Sequence, residues 1–233
     1  ESKKKKKFKI ELLSNNHSIL TILEMRQFKI SVFVFLLFPF FIQAQESEIE
    51  EKSITKHYTS ENLEPKLVLS RAEQWFNSDE NSEEFEIVSL DKNKGEMLVE
   101  GSTKVLYKNL GKDLYPKRSG MAEVLEASFG NKIRIKAEDG GYSISYEVVD
   151  MKQEMYKMED LFFECVDFKS IEEENLKEYN KAMNKLLKAN LVFKKRREIF
   201  TENSKSQFEE VSSYLLNAGE TIIFSLNEAI LSD

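Results

Sequence analysis

Few residues in this chain could do chemistry, and their spacing does not bring them together. Cys165 is the single cysteine. It sits among Leu161, Phe162, Phe163 and Val166, where it reads as a small buried apolar residue. The histidines are His17 and His57 alone. A zinc site wants four nitrogen or sulfur ligands, or three and a water, which one cysteine and His57 cannot furnish once His17 is lost with the leader read below. A Ser-His-Asp arrangement would have to draw His57 from a polar arm, and a Cys165–His57 pair would need an exposed thiol. There is no phosphate-cradling glycine loop and no dinucleotide fingerprint. Paired carboxylates are the one hydrolytic arrangement that the composition supplies. Most acids, however, fall on alternating or helical polar positions, where solvation accounts for them. What is left is a set of tyrosines on strand-like segments, Tyr107, Tyr142 and Tyr146, as a ligand face. Packing within a sheet is the plainer role for such residues.

The elements that must position these side chains begin after a leader. Met25-Arg26-Gln27-Phe28-Lys29 is a short basic segment, Ile30 to Ile42 is almost wholly apolar, and Gln43-Ala44-Gln45-Glu46 turns polar. That is the pattern of a secretory signal peptide cleaved after Ala44, too short to span a bilayer as a helix. Met25 is the expected start of translation, with residues 1–24 upstream translated sequence. Residues 1–44 carry eight lysines and arginines against three acids, so their removal takes the formal net charge from −7 to −12. An acidic exported protein repels nucleic acid and anionic lipid alike unless it carries a strong local basic patch.

Residues 45–64 are polar and acidic, with an edge strand expected near 53–59. Pro65 suits the first turn of a helix. Val68, Leu69, Ala72, Trp75 and Phe76 share its apolar face, with Arg71, Glu73 and Gln74 toward water. Phe85, Ile87 and Ser89 alternate with Glu84, Glu86 and Val88, and Asp91-Lys92-Asn93-Lys94-Gly95 is a turn. The inward set Met97, Val99, Gly101, Thr103, Val105 and Tyr107 completes a hairpin. Residues 109–120 read as loop, and 121–129 fit a strand or a short helix equally. Ile133 and Ile135, the turn Glu138-Asp139-Gly140-Gly141, and Tyr142, Ile144, Tyr146 and Val148 form the clearest antiparallel pair.

The signal peptide, the helix with Arg71-Ala72-Glu73-Gln74-Trp75-Phe76, the Asp91-to-Gly95 turn and the Lys136-to-Tyr142 hairpin together resemble a secreted bacterial family, domain-of-unknown-function family 4468. The resemblance covers roughly residues 53–167 and implies a TBP-like fold. In the last hairpin the family carries a basic residue before the tyrosine, where this chain has Gly141. The family has no established activity to transfer, and a shared fold does not carry function.

Beyond Asp150, Met151, Met155 and Met158 form a stripe that reads as packing before binding. Ser170-Ile171-Glu172-Glu173 is a capping box for a long helix whose seam is Leu176, Tyr179, Met183, Leu186, Leu187 and Leu191. Lys194-Lys195-Arg196-Arg197 is expected at its C-terminal end, where cations complement the helix dipole. Contact with an acidic partner or anionic headgroups is the functional alternative. Ser206-Gln207-Phe208-Glu209 is a second capping box, opening a helix to about Ile230 with Gly219 inside it. The two helices, joined at 201–205, read as a hairpin whose seams need a cover: each other, the sheet, or another copy.

The expected architecture is therefore α+β: residues 53–168 a curved antiparallel sheet with a packed helix, and 170–231 a helical hairpin. The expected function is a non-enzymatic envelope or secreted protein. A protein partner or self-association is expected, with no nucleic acid, and with membrane contact through the transient leader only. A ligand-binding protein or hydrolase using the concave face of the sheet is the alternative. No cofactor or metal is expected.

Overall fold

The computed structural model describes residues 46–60, 63–117, 119–152 and 158–232. The leader and residues 1–24 lie outside the described residues, as does Met155. The described residues form one compact unit.

Strands β1 (Glu46–Ile49), β2 (Ser53–Thr59), β3 (Phe85–Asp91), β4 (Glu96–Lys108), β5 (Val124–Glu138) and β6 (Gly141–Lys152) make one sheet in the order β1-β2-β6-β5-β4-β3. Every neighbouring pair is antiparallel. The two hairpins read from the sequence are both present, and Gly95 takes φ 72° in the first of them. The segment 121–129 resolves to strand, because Leu125, Ala127 and Phe129 continue the buried alternation of Ile133 and Ile135 into one long β5. A bulge between Ile87 and Ser89 shifts the phase of β3, so that Leu90 and not Ser89 packs against the core.

One face of the sheet carries the core. Tyr142, Ile144, Tyr146 and Val148 from β6, Phe129, Ile133 and Ile135 from β5, and Met97, Val99, Val105 and Tyr107 from β4 are all buried. Helix α1 (Pro65–Phe76) lays Val68, Leu69, Ala72 and Phe76 on this face, as its periodicity requires. Arg71, expected in water, donates from Nη1 to the Ile230 carbonyl at 2.7 Å and ties α1 to the C-terminal helix. The other face of the sheet is polar: Lys132 lies 3.4 Å from Glu100, Arg134 3.0 Å from Glu147, and Thr55 donates to Ser145 at 2.9 Å.

Three further helices complete the core: α2 (Leu110–Leu114), α3 (Glu159–Glu164) and α4 (Glu173–Ala189). They are followed by α5, a single 38-residue helix from Lys194 to Leu231, roughly 57 Å long at 1.5 Å per residue. Helix α5 lies against α1 and the sheet strands β2, β4 and β6. The sheet is thus the cover for its seam, with Phe208, Val211, Leu215, Ile223, Leu226 and Ile230 buried. No helix among the described residues is long and apolar enough to cross a membrane.

The helical hairpin exists, but its joint is elsewhere than expected. Helix α4 ends at Ala189 and α5 begins at Lys194, so residues 201–205 and the Ser206 box lie inside a continuous helix. The Ser170 box does not form either: Glu172 occupies the N-cap without a side-chain bond, and Asp167 caps the backbone amides of Lys169 and Ser170 instead. Consequently Lys194, Lys195, Arg196 and Arg197 occupy the first turn of α5, with no acid among them. The dipole explanation for this cluster fails, because the amino end of a helix repels cations.

Candidate functional site

The three tyrosines expected to form a ligand face all lie on the covered side of the sheet, and they do not form one open surface. Tyr146 is fully buried, with its hydroxyl 3.1 Å from Thr103 Oγ1. Tyr142 stacks on Tyr58 at 5.0 Å between ring centroids and donates to Asn227 Oδ1 at 2.7 Å. Burial raises the phenol pKa of both. Of the three, Tyr107, near the end of β4, lines a cavity.

That cavity measures about 330 Å3, within the range of roughly 300–1,000 Å3 usual for small-molecule sites. It forms because β4 stops at Lys108 and the chain turns over its own end. Asn109 is buried and organises this turn. Its Oδ1 accepts from the Gly111 amide at 3.0 Å, and its Nδ2 donates to the Ala122 carbonyl at 2.9 Å. The resulting lobe presents Leu110 and Leu114 from α2. Helix α3 supplies Phe162, which packs with Tyr107 (5.4 Å), Phe208 (4.7 Å) and Tyr179 (6.2 Å) as an aromatic floor. Helix α4 supplies Met183, Leu186 and Leu187 as a wall. It is held to α5 by a buried bond from Ser204 Oγ to Asn180 Oδ1 at 2.9 Å. From α5 come Phe200 and the buried Gln207, whose Nε2 donates to the Lys108 carbonyl.

Among the described residues, no carboxylate, imidazole, thiol, amine or guanidinium lines this cavity. Its polar groups are the amides of Asn109, Asn190 and Gln207 and the hydroxyls of Tyr107, Tyr115 and Tyr179. Such a wall can enclose an apolar body and orient a polar end by hydrogen bonds. The described lining offers no acid–base pair working near neutral pH. The methionine stripe divides accordingly: Met151 is buried at the end of β6, and Met158 lines the cavity beside Met121 and Met183. Methionine side chains adapt to irregular apolar ligands.

The reactive residues named from the sequence stay apart from this site. Cys165 is fully buried, and its thiol is pushed up to about 12 by that burial and by the neighbouring Glu164. His57 lies exposed on β2, opposite Ser143. The described residues contain no group of three or more histidine, cysteine, aspartate or glutamate side chains arranged to hold a metal. The cavity itself was not legible in the sequence. Its lining comes from five separated stretches, and the only local signal, Asn109 followed by Gly111, reads as ordinary loop chemistry.

No protein-family model matches the chain, and no curated protein matches it. Among solved structures, the chain is similar to a DUF4468 family protein from Bacteroides ovatus, at 16% identity over 51% of this chain and 67% of that one, with a TM-score of 0.36. It is also similar to a TBP-like protein from Parabacteroides distasonis, at 15% identity over 72% of this chain and 92% of that one, with a TM-score of 0.31. These neighbours carry the family and fold names that the sequence patterns suggested. Neither name states an activity, so the functional reading rests on the geometry of this chain.

Proposed function

We propose that the protein is an exported, non-enzymatic binding protein, periplasmic or extracellular, that holds a small, mainly apolar molecule with one polar end. The site is the cavity closed by α2, α3, α4 and α5, and not the concave face of the sheet. One observation carries the reading: a cavity of about 330 Å3 whose lining is apolar and uncharged but contains the buried amides Asn109 and Gln207. Export rests on the leader pattern at 25–44.

The test uses protein purified after expression of the full chain with its leader. Its titration with a fluorescent fatty-acid analogue should be saturable, and Met183→Trp, which fills the cavity, should weaken it at least tenfold while the thermal midpoint holds. Saturable binding that Met183→Trp leaves untouched would move the site elsewhere. The absence of binding to apolar probes of several lengths would end the proposal.

Protein interaction or self-association is the second reading, and Tyr214 and Phe224 favour it, since both stand half or more exposed on α5. A dimer in sedimentation that Phe224→Ser dissociates would support it.

A further inference from the structure

We propose that the tip between α4 and α5 docks on an anionic lipid bilayer, with Leu191 and Phe193 entering the interface and Lys188, Lys194 and Lys195 contacting headgroups. Residues 179–197 contain seven lysines and arginines and no acid, within a chain of formal net charge −7. The cluster is therefore a local feature set against the charge of the whole. It also works against the helix it begins, since four cations in the first turn of α5 face the positive end of its dipole. Fold stability does not account for the placement of the two lysines among them.

Two of the cations are used to build the tip. Arg196 donates to the Leu114 carbonyl at 2.6 Å and lies 5.9 Å over the Tyr115 ring, and Arg197 donates to the Val192 carbonyl at 3.2 Å. The lysines are left outward. Lys194 lies 3.7 Å from Glu198, an exposed pair within one helix turn that contributes little.

The apolar side chains at the same tip decide between partners. Leu191 is 88% exposed and Phe193 77%, the two most exposed large hydrophobic residues among those described. Val192 between them is buried against the fold. A basic surface alone would suit any polyanion, and an apolar patch alone would suit a protein. Apolar side chains inside a collar of lysines match the two layers of an anionic bilayer, acyl boundary beneath and charged headgroups above. Leu187, Asn190 and Val192 also line the cavity, so a docked tip would bring one of its walls to the lipid. The docking itself does not depend on what the cavity holds.

The test is co-sedimentation of the full-chain product with vesicles of phosphatidylcholine alone, or of phosphatidylcholine mixed with phosphatidylglycerol. Binding should be confined to the anionic vesicles and should weaken as salt rises. Lys194→Glu and Lys195→Glu should each reduce it about fivefold or more. Those acids suit the amino end of α5, so the variants should melt no earlier than the parent. Leu191→Gly and Phe193→Ser should each reduce binding severalfold, whereas Met183→Trp should leave it unchanged. Failure to bind anionic vesicles, or binding indifferent to Leu191 and Phe193, would overturn the proposal. So would equal affinity for duplex DNA that is insensitive to Phe193→Ser, which would point to a nucleic-acid surface.

Discussion

Tyr142 on β6 donates its hydroxyl proton to Oδ1 of Asn227 on α5 at 2.7 Å, across 85 positions of sequence and away from water. This bond fixes where the C-terminal helix crosses the sheet. Tyr142→Phe removes the donor and leaves a buried carbonyl oxygen without it. The expected loss is about 1–3 kcal/mol, read as a lower urea midpoint at unchanged slope. Replacing both partners, Tyr142→Phe with Asn227→Leu, should recover part of that loss, because no polar atom is then stranded.

The same burial sets the alkaline limit of the fold. Desolvation raises the phenols of Tyr142 and Tyr146 above their ordinary 10.0, and raises the Cys165 thiol from 9.0 to about 12. The unfolded chain ionises these groups first, so between the ordinary and the folded values it binds fewer protons than the native state, and stability falls as pH rises. Stability from these groups should be complete below about pH 9 and should decline above it. Each group that is ionised only in the unfolded state contributes a slope of about 1.4 kcal/mol per pH unit. Urea titrations across the alkaline range should show this decline, and Tyr142→Phe should make it shallower.

Gly219 inside α5 looks like a defect from sequence, costing about 1 kcal/mol against alanine. Its surroundings reverse that judgement. A Cβ there would sit 2.5 Å from Cδ1 of the fully buried Tyr146. Gly219→Ala should destabilise by about 1–3 kcal/mol despite its better helix propensity, visible as a lower thermal midpoint. The double variant with Tyr146→Leu should lose less than the sum of the two single changes.

Much of the sheet was legible because its signals are local and agree with one another. The alternation of Met97 to Tyr107 and of Ile133 to Val148, with Gly95 and Gly140 at positive φ in the turns, fixes both hairpins. Pro65 and the Val68-to-Phe76 face fix α1 for the same reason. The joint between α4 and α5 lies away from the expected 201–205 because its punctuation is unusual. Helices commonly end on glycine in the left-handed region, and here Leu191 takes that place at φ 58°. The polar run 201–205 resembled a loop, yet Ser204 turns inward to Asn180 and is buried. The cavity could not be read because it needs the end of β4, the Asn109 turn and three helices brought to one place, and no periodicity records that.

Leu191 supplies the sharpest separation of fold from function. The amides of Leu191 and Val192 bond to the carbonyls of Lys188 and Leu187, at 3.1 and 3.0 Å, closing α4 in the paired manner that normally employs glycine. An L-residue other than glycine in the left-handed region costs about 1–2 kcal/mol, and this leucine, 88% exposed, recovers almost none of that by burial. Leu191→Gly should therefore leave stability unchanged or raise it by up to about 1 kcal/mol, the relief of strain being partly offset by the greater freedom of glycine when unfolded. Thermal melts measure that side. Binding to anionic vesicles by the same purified variant should fall severalfold. If Leu191 served the fold alone, Leu191→Gly would lower stability; if it enters a bilayer, binding falls while stability holds or rises.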